Sequence, residues 1–377
     1  MPRRSRRLNP PSALDGLSDE LVILLLSRAP FMTHGTLHVV CRRLKKLLRS
    51  SEFRQHRVEC GLAEYGLVLA GGIRYDEQPI AECSTLTARG RWRSITPLSG
   101  VHAFGCSAIL ENEDGQPEMW MMGGRDRHWN PLATVEVYNL RTNTWRSCLP
   151  LSQPRQGAVA GVVGGRLVVA GGYGGYDDDA AKLTSVEAYT STGWIPLPPL
   201  PHAAWNATAC VLDGRLYVMG GIHCDKLQVL EFSEEKRRVR RRGARGGNPF
   251  SWTVKGNLPA KRVSAASAVF DGKIWLMGGV VYAYDDDGDE VQPDNGPATV
   301  VIYDVQNDTW ATGPELPRGI VGCDAQILAG EIHVTGENDN GEPMTFRYGG
   351  HGWEEVPNFN DEQGMRYGAM RQSLLLG

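Results

Sequence analysis

The 377-residue sequence has no apolar run approaching the ~18 residues that a membrane-spanning helix requires. Its most leucine-rich stretch, 21–26, is short and follows Asp19 and Glu20, which is not the charge pattern of a signal peptide. The eight cysteines, at 41, 60, 83, 106, 148, 210, 224 and 323, include no CxxC spacing. Several sit in strand-like apolar patterns as small core residues, a usage that suits a reducing compartment. The nine histidines are scattered singly, whereas metal chemistry needs clustered His, Cys or carboxylate ligands. His223-Cys224-Asp225 comes nearest to a cluster and has no second half. A phosphate-binding glycine loop, a nucleophile elbow and a paired-carboxylate motif are also missing. These absences lead us to expect no cofactor, no metal site and no catalysis. A net charge of −3 argues against nucleic acid as the main ligand.

What the sequence does have is a repeat. Leu67-Val68-Leu69-Ala70-Gly71-Gly72 is a short apolar run closed by two glycines. It returns ahead of Gly123-Gly124, Gly171-Gly172, Gly220-Gly221 and Gly278-Gly279, and in altered form at Gly336-Glu337. The first glycines are 48 to 58 residues apart, a period that signals a repeat architecture. Each run is too short for a helix and bounded by turn residues, so it predicts a buried strand. Asp213-Gly214 and Asp271-Gly272 predict hairpins just before two of the runs. Small residues such as 157–161 and 264–268 predict a crowded innermost strand. An aromatic followed by tryptophan trails every glycine pair but the first, which keeps Trp92 but has Thr85 for the aromatic: Tyr138 and Trp145, Tyr189 and Trp194, Phe232 and Trp252, Tyr303 and Trp310, Phe346 and Trp353. Those rings are expected on outer strands, filling space between neighbouring units.

This pattern resembles the kelch repeat, whose unit is one four-stranded blade of a β-propeller, over about 62–377. The implied fold is mainly β: a six-bladed kelch β-propeller preceded by a small α-helical domain. No strand of the small-residue type precedes the first glycine pair, whereas Arg366-Tyr367-Gly368-Ala369-Met370 reads like Arg155-Gln156-Gly157-Ala158-Val159 with no glycine pair after it. We therefore expect 365–376 to complete the first blade within a propeller domain of 61–377, hiding sheet edges that would otherwise be exposed.

Residues 1–13, with Arg3, Arg4, Arg6 and Arg7, read as a disordered basic tail. Over 14–60 the composition is helical. Ser18 can cap a helix whose first turn holds Asp19 and Glu20 and which Pro30 ends. A second helix is expected over about 33–49, and 51–66 as a junction. The stretches 17–21, 25–30 and 40–44 resemble an F-box, with Ser18 where that family usually has proline and Leu44 where it usually has tryptophan. The resemblance implies the substrate-recognition subunit of an SCF-type (Skp–cullin–F-box) ubiquitin ligase. Its box would dock a Skp-family adaptor, and through it cullin, by Leu17, Glu20, Leu21, Leu24, Leu25, Pro30, Val40 and Leu44, while the propeller holds an unknown target protein. The alternatives are a kelch scaffold without ligase activity and, well behind, an enzyme on a kelch fold such as a copper oxidase or an iron-dependent specifier protein.

On the propeller, loops 173–182 and 280–298 carry aromatic and acidic residues, and a set of cations precedes the first strands. His102, Arg155, His202, Arg262, Arg318 and Arg366, with Tyr173 and Tyr176, form the candidate peptide-binding face. The competing reading is that the arginines only pair with blade-edge carbonyls. Residues 236–245 carry seven cations, open to a disordered insert, a nuclear-import signal or a nucleic-acid contact, so cytoplasmic and nuclear locations are both expected.

Overall fold

The computed structural model describes residues 16–29, 41–48, 50–60, 65–73, 78–86, 92–113, 115–140, 142–175, 181–241, 248–281, 283–284, 290–291, 298–338, 340, 342–356 and 370–375. The chain divides into a helical unit within its first 65 residues and a sheet unit running from Gly66 to Leu374.

In the helical unit, helix α1 spans Asp19–Leu26, α2 spans Arg42–Leu47 and α3 spans Ser51–Glu59. The Ser18 hydroxyl accepts from Leu21 N at 3.4 Å and so caps α1, while Asp19 and Glu20 favour its positive end. Val22, Leu44 and Leu47 form the core, with Leu17, Ile23 and Leu26 packed against it. Two expectations are corrected. A continuous helix over 33–49 is excluded because Cys41 is extended (φ −157°) and acts as N-cap to α2; residues 30–40 lie outside the described set. The junction of 51–66 instead holds α3, whose Arg57 is buried and donates to the carbonyls of Ser27 (2.9 Å) and Ala29 (2.6 Å). These bonds satisfy carbonyls that the end of α1 leaves without helical partners.

The sheet unit is a six-bladed β-propeller of four-stranded antiparallel sheets. The first blade orders Met370–Leu375, Tyr65–Ala70, Cys83–Leu86 and Trp92–Ile95. The others begin at Cys106–Glu111, Val159–Val163, Thr208–Leu212, Ala266–Phe270 and Val321–Leu328. Burial follows position in the blade. First strands alternate, as in Val159–Val163. The run Leu216–Met219 in a second strand is wholly buried, and the fourth strand Thr144–Ser147 is largely exposed. A second strand is apolar on both faces because it is covered by the neighbouring blade on each side. Asp213-Gly214 (φ +50°, +70°) and Asp271-Gly272 (φ +49°, +67°) form the expected hairpins, each with two left-handed residues.

The tryptophans join blades. Trp145, Trp194, Trp252 and Trp353 donate their indole N–H to the carbonyls of Thr96, Leu149, Pro198 and Pro314, each in the segment leaving the preceding blade, at 2.8 to 2.9 Å. Tyr138, Tyr189 and Tyr303 sit directly across from Trp145, Trp194 and Trp310. In two blades the partners differ from the sequence expectation: Trp353 faces Tyr348, and Phe232 faces Phe250 while Trp252 faces Leu230. Phe346, two positions before Tyr348 in its strand, lies on the same face but is fully buried in the core.

Candidate functional site

On α1 the residues that turn inward are Val22 and, in part, Ile23 and Leu26, with Leu17 just ahead of its cap. Leu21, Leu24 and Leu25 stand 48, 42 and 54% exposed, at the i, i+3, i+4 spacing that makes one face. Glu20 joins them in the solvent, its carboxyl lowered by the Ser18 hydroxyl. Leu44 is interior (3% exposed), and Arg43 ties α2 to α1 through Asp19 at 2.7 Å and the Leu17 carbonyl at 2.5 Å. Of the expected adaptor residues, the structure therefore brings Glu20, Leu21, Leu24 and Leu25 together at the surface. It places Leu17 half-buried and Leu44 inside; Pro30 and Val40 lie outside the described residues.

On the propeller, three of the cations ahead of the first strands, His102, Arg155 and Arg262, are joints between blades. The second glycine of a pair donates its N–H to the residue entering the next blade: Gly72 to His102 (2.7 Å), Gly124 to Arg155 (2.8 Å), Gly172 to Ala204 (2.7 Å), Gly221 to Arg262 (2.9 Å) and Gly279 to Ile320 (3.0 Å). A Cβ on Gly123, Gly171 or Gly220 would meet one of these carbonyl oxygens at 2.4 Å, so the glycines are required by close approach as well as by positive φ. The side chains of His102, Arg155 and Arg262 then reach forward into the blade they enter. Arg155 donates to the carbonyls of Gly171 (2.7 Å) and Ser185 (3.1 Å) and to Glu187 (2.8 Å). Arg262 donates to the carbonyls of Gly278 (2.9 Å) and Thr299 (3.0 Å) and to the Thr299 hydroxyl (2.7 Å). His102 meets the Gly123 carbonyl at 3.4 Å and Glu136 at 3.5 Å. All three side chains are buried, and burial draws each of their pKa values down, with Glu187 and Glu136 opposing it for Arg155 and His102.

His202 and Arg318 do not share that position. They lie two residues before the equivalent Ala204 and Ile320 and are exposed, His202 being fixed through its backbone to the Gln228 amide at 2.8 and 3.0 Å. Tyr173 is half-buried and stacks on Trp205 at 4.5 Å and 28°. Tyr176 and Arg366 lie outside the described residues.

Sequence reasoning missed the counterparts of the joints. Glu136, Glu187 and Gln228 occupy the same place in three third strands, where they are buried and bond the inter-blade connections. A carboxylate flanked by apolar residues in Val135-Glu136-Val137 and Val186-Glu187-Ala188 was the available signal, because a buried charge needs partners. The Arg125 cluster was missed as well: its guanidinium lies 3.2 Å from the ring centroid of Trp129 and 4.1 Å from that of Phe104, and Trp129 is half exposed.

The first strands enclose an axial cavity of about 250 Å³, lined by small and polar residues including Ser107, Thr208, Asn206, Ser267 and Asp324. At one level of this channel Phe104, Gly157, Asn206, Ser264 and Gly322 are all left-handed, with φ from +50° to +59°. Gly157 N donates to Phe104 O, Asn206 N to Gly157 O, Ser264 N to Asn206 O and Cys323 N to Ser264 O, at 2.8 to 3.0 Å. Among the described residues no group of three His, Cys, Asp or Glu could hold a metal ion. Burial pushes the Cys106 and Cys210 thiols up to about 12, so neither is a nucleophile at neutral pH.

The kelch motif matches residues 118–151, from the second through the fourth strand of the second blade. Kelch-like protein 35 of Mus musculus is 23% identical over 257 residues, covering 66% of this chain and 37% of the relative. Kelch-like protein 23 of Homo sapiens is 26% identical over 223 residues, covering 58% and 35%. An F-box/kelch-repeat protein of Arabidopsis thaliana is 26% identical over 218 residues, covering 55% and 54%. The chain thus spans little more than a third of the two kelch-like proteins and about half of the plant one. The solved structure of YjhT shares the fold, with a TM-score of 0.58 at 13% identity over 76% of this chain and 96% of that one. The sheet unit is therefore a six-bladed β-propeller that carries a kelch motif and is similar to kelch-repeat proteins.

Proposed function

We propose that the chain is the target-binding subunit of an SCF-type ubiquitin ligase. The helical unit docks a Skp-family adaptor, and through it cullin, and the propeller holds the protein to be modified. The observation that carries this reading is the exposed row Leu21, Leu24 and Leu25 beside Glu20, on a helix whose other face is already filled by Leu44 and Leu47. A leucine row left in water favours a partner, since burying each side chain is worth about 1.5–3 kcal/mol. The similarity to an F-box/kelch-repeat protein supports it. The chain does no bond chemistry in this role; it raises the effective concentration of a target lysine beside the conjugating enzyme.

On the propeller, Tyr173, His202 and Arg318 are the expected target contacts that retain solvent access; the buried His102, Arg155 and Arg262 hold the face in shape. The chain works in the cytoplasm or nucleus, with 236–245 as a candidate import signal. The test is co-purification with a Skp adaptor, comparing the full chain with one beginning at Leu62. Capture by the full chain alone supports the proposal. Capture by neither, where an ordinary F-box protein binds, leaves a kelch scaffold without ligase activity, a reading favoured by Leu44 facing the core rather than the leucine row.

A further inference from the structure

A groove lies between the third and fourth blades, away from the axial channel. It has a volume of about 550 Å³. Its lining combines the apolar side chains of Ile195, Leu197 and Phe250, here called its floor, with the cations Arg166 and Arg237. Phe250 is buried, with the Arg166 guanidinium 5.9 Å from its ring centroid. Arg237 belongs to helix α4, Glu234–Arg241, which grows out of the connection between the third and fourth strands of the fourth blade. Its guanidinium pairs with Glu234 at 3.1 Å. The sequence that follows is strongly cationic, with seven Lys or Arg between 236 and 245 against the two acids Glu234 and Glu235 before it.

We propose that this groove docks an acidic peptide segment of a partner protein, with one apolar side chain seated on the floor and carboxylates facing Arg166 and Arg237. This surface goes beyond the ligase reading and does not depend on the helical unit. Charge complementarity selects an acidic occupant. The recessed floor selects a protein over a nucleic acid or a membrane. Single-stranded nucleic acid gains much of its affinity by stacking bases on open aromatic faces, and Phe250 is only 2% exposed. A membrane surface needs protruding apolar side chains, whereas Ile195 and Leu197 are half-buried. Each guanidinium can hold a carboxylate of the segment through two parallel N–H···O bonds.

The experiment is fluorescence anisotropy on the full chain with a labelled synthetic peptide of Asp-Glu-Leu repeats. Saturable binding is expected, weakened about tenfold or more in the Arg166→Glu variant and in a peptide whose leucines are replaced by serine. Arg166→Gln, which removes the charge without reversing it, serves as a second variant if the charge reversal alters the thermal unfolding midpoint. The proposal is overturned if the peptide does not bind, or if the serine peptide binds equally well, since bulk charge would then suffice. It is equally overturned if oligouridylate or anionic phosphatidylserine vesicles bind in an Arg166-dependent way while the peptide does not.

Discussion

Arg155 and Glu187 form a 2.8 Å ion pair with side chains only 1 and 4% exposed, and the same arginine accepts the N–H of Gly124 on its carbonyl. One residue thus holds the second blade by its backbone and the third by its side chain. Removing one partner of a buried pair leaves the other charge without compensation, which costs about 3–5 kcal/mol. Arg155→Met should therefore lower the urea midpoint strongly. The double variant Arg155→Met with Glu187→Leu should be more stable than the sum of the two single losses predicts.

The glycine pairs give a graded test of close approach. A Cβ at Gly123 (φ +62°) would lie 2.4 Å from the Arg155 carbonyl oxygen, whereas at Gly165 (φ +71°) it would meet nothing within 4 Å. Gly165→Ala should cost the left-handed penalty alone, about 1–2 kcal/mol. Gly123→Ala should cost clearly more, because two blades must also separate. Chemical denaturation of the two variants side by side checks the order.

Acid should loosen the sixth blade through His333. Burial, then the nearby Arg347 guanidinium, push His333 from 6.5 down to about 4, while Glu331 lies 3.8 Å away. A lowered folded pKa means that the unfolded chain takes the proton first. The contribution of a neutral His333 is therefore complete above about pH 6.5 and is lost as pH falls toward 4. Urea midpoints should decline over that window, and decline less in His333→Gln.

The leucine row separates docking from folding. Leu21→Asp or Leu25→Asp alters an exposed side chain and should leave the thermal midpoint nearly unchanged while weakening adaptor capture at least about tenfold. Val22→Asp, at a fully buried position, should unfold the helical unit. Capture unaffected by Leu21→Asp and Leu25→Asp would remove the support for docking on this face.

Thiol reactivity should follow burial. Cys41 and Cys60 are exposed, whereas Cys106 and Cys210 have thiols pushed up to about 12. Iodoacetamide at mildly alkaline pH, read by mass spectrometry, should label the first two on the folded protein and reach the second two only after denaturation.

The propeller was legible because its glycines answer to a steric demand that recurs from joint to joint, and its second strands to burial on both faces. Neither depends on which distant residue is the partner. The cations were legible as a set, and the competing reading that they pair with blade-edge carbonyls holds for Arg155 and Arg262, but which of them would do so was not legible. Arg155 and Arg318 look alike in sequence, yet two residues of offset put the first against Gly171 and Glu187 and the second in solvent. Helix α3 was hidden because its stretch, 51–59, is mostly polar and its Arg57 is buried, so apolar periodicity had little to mark. The groove at Arg166 needed two blades to be assembled, and no spacing along the chain records that.

The left-handed ring around the channel carries a polarity. At each step one blade's amide donates to the carbonyl of the blade before it, from Cys323 back through Ser264, Asn206 and Gly157 to Phe104. Every interior blade in this series therefore presents an identical plug on one side and an identical socket on the other, whatever its outer strands contain. Such connectors fix the direction of assembly and carry no information about how many blades there should be. Blade number must be set elsewhere, by the wedge angle that the side chains between blades impose. Duplication or loss of a whole repeat within this series would leave none of its bonded amides and carbonyls without a mate, so the inner rim can keep its bonding while repeats are gained, lost or rebuilt.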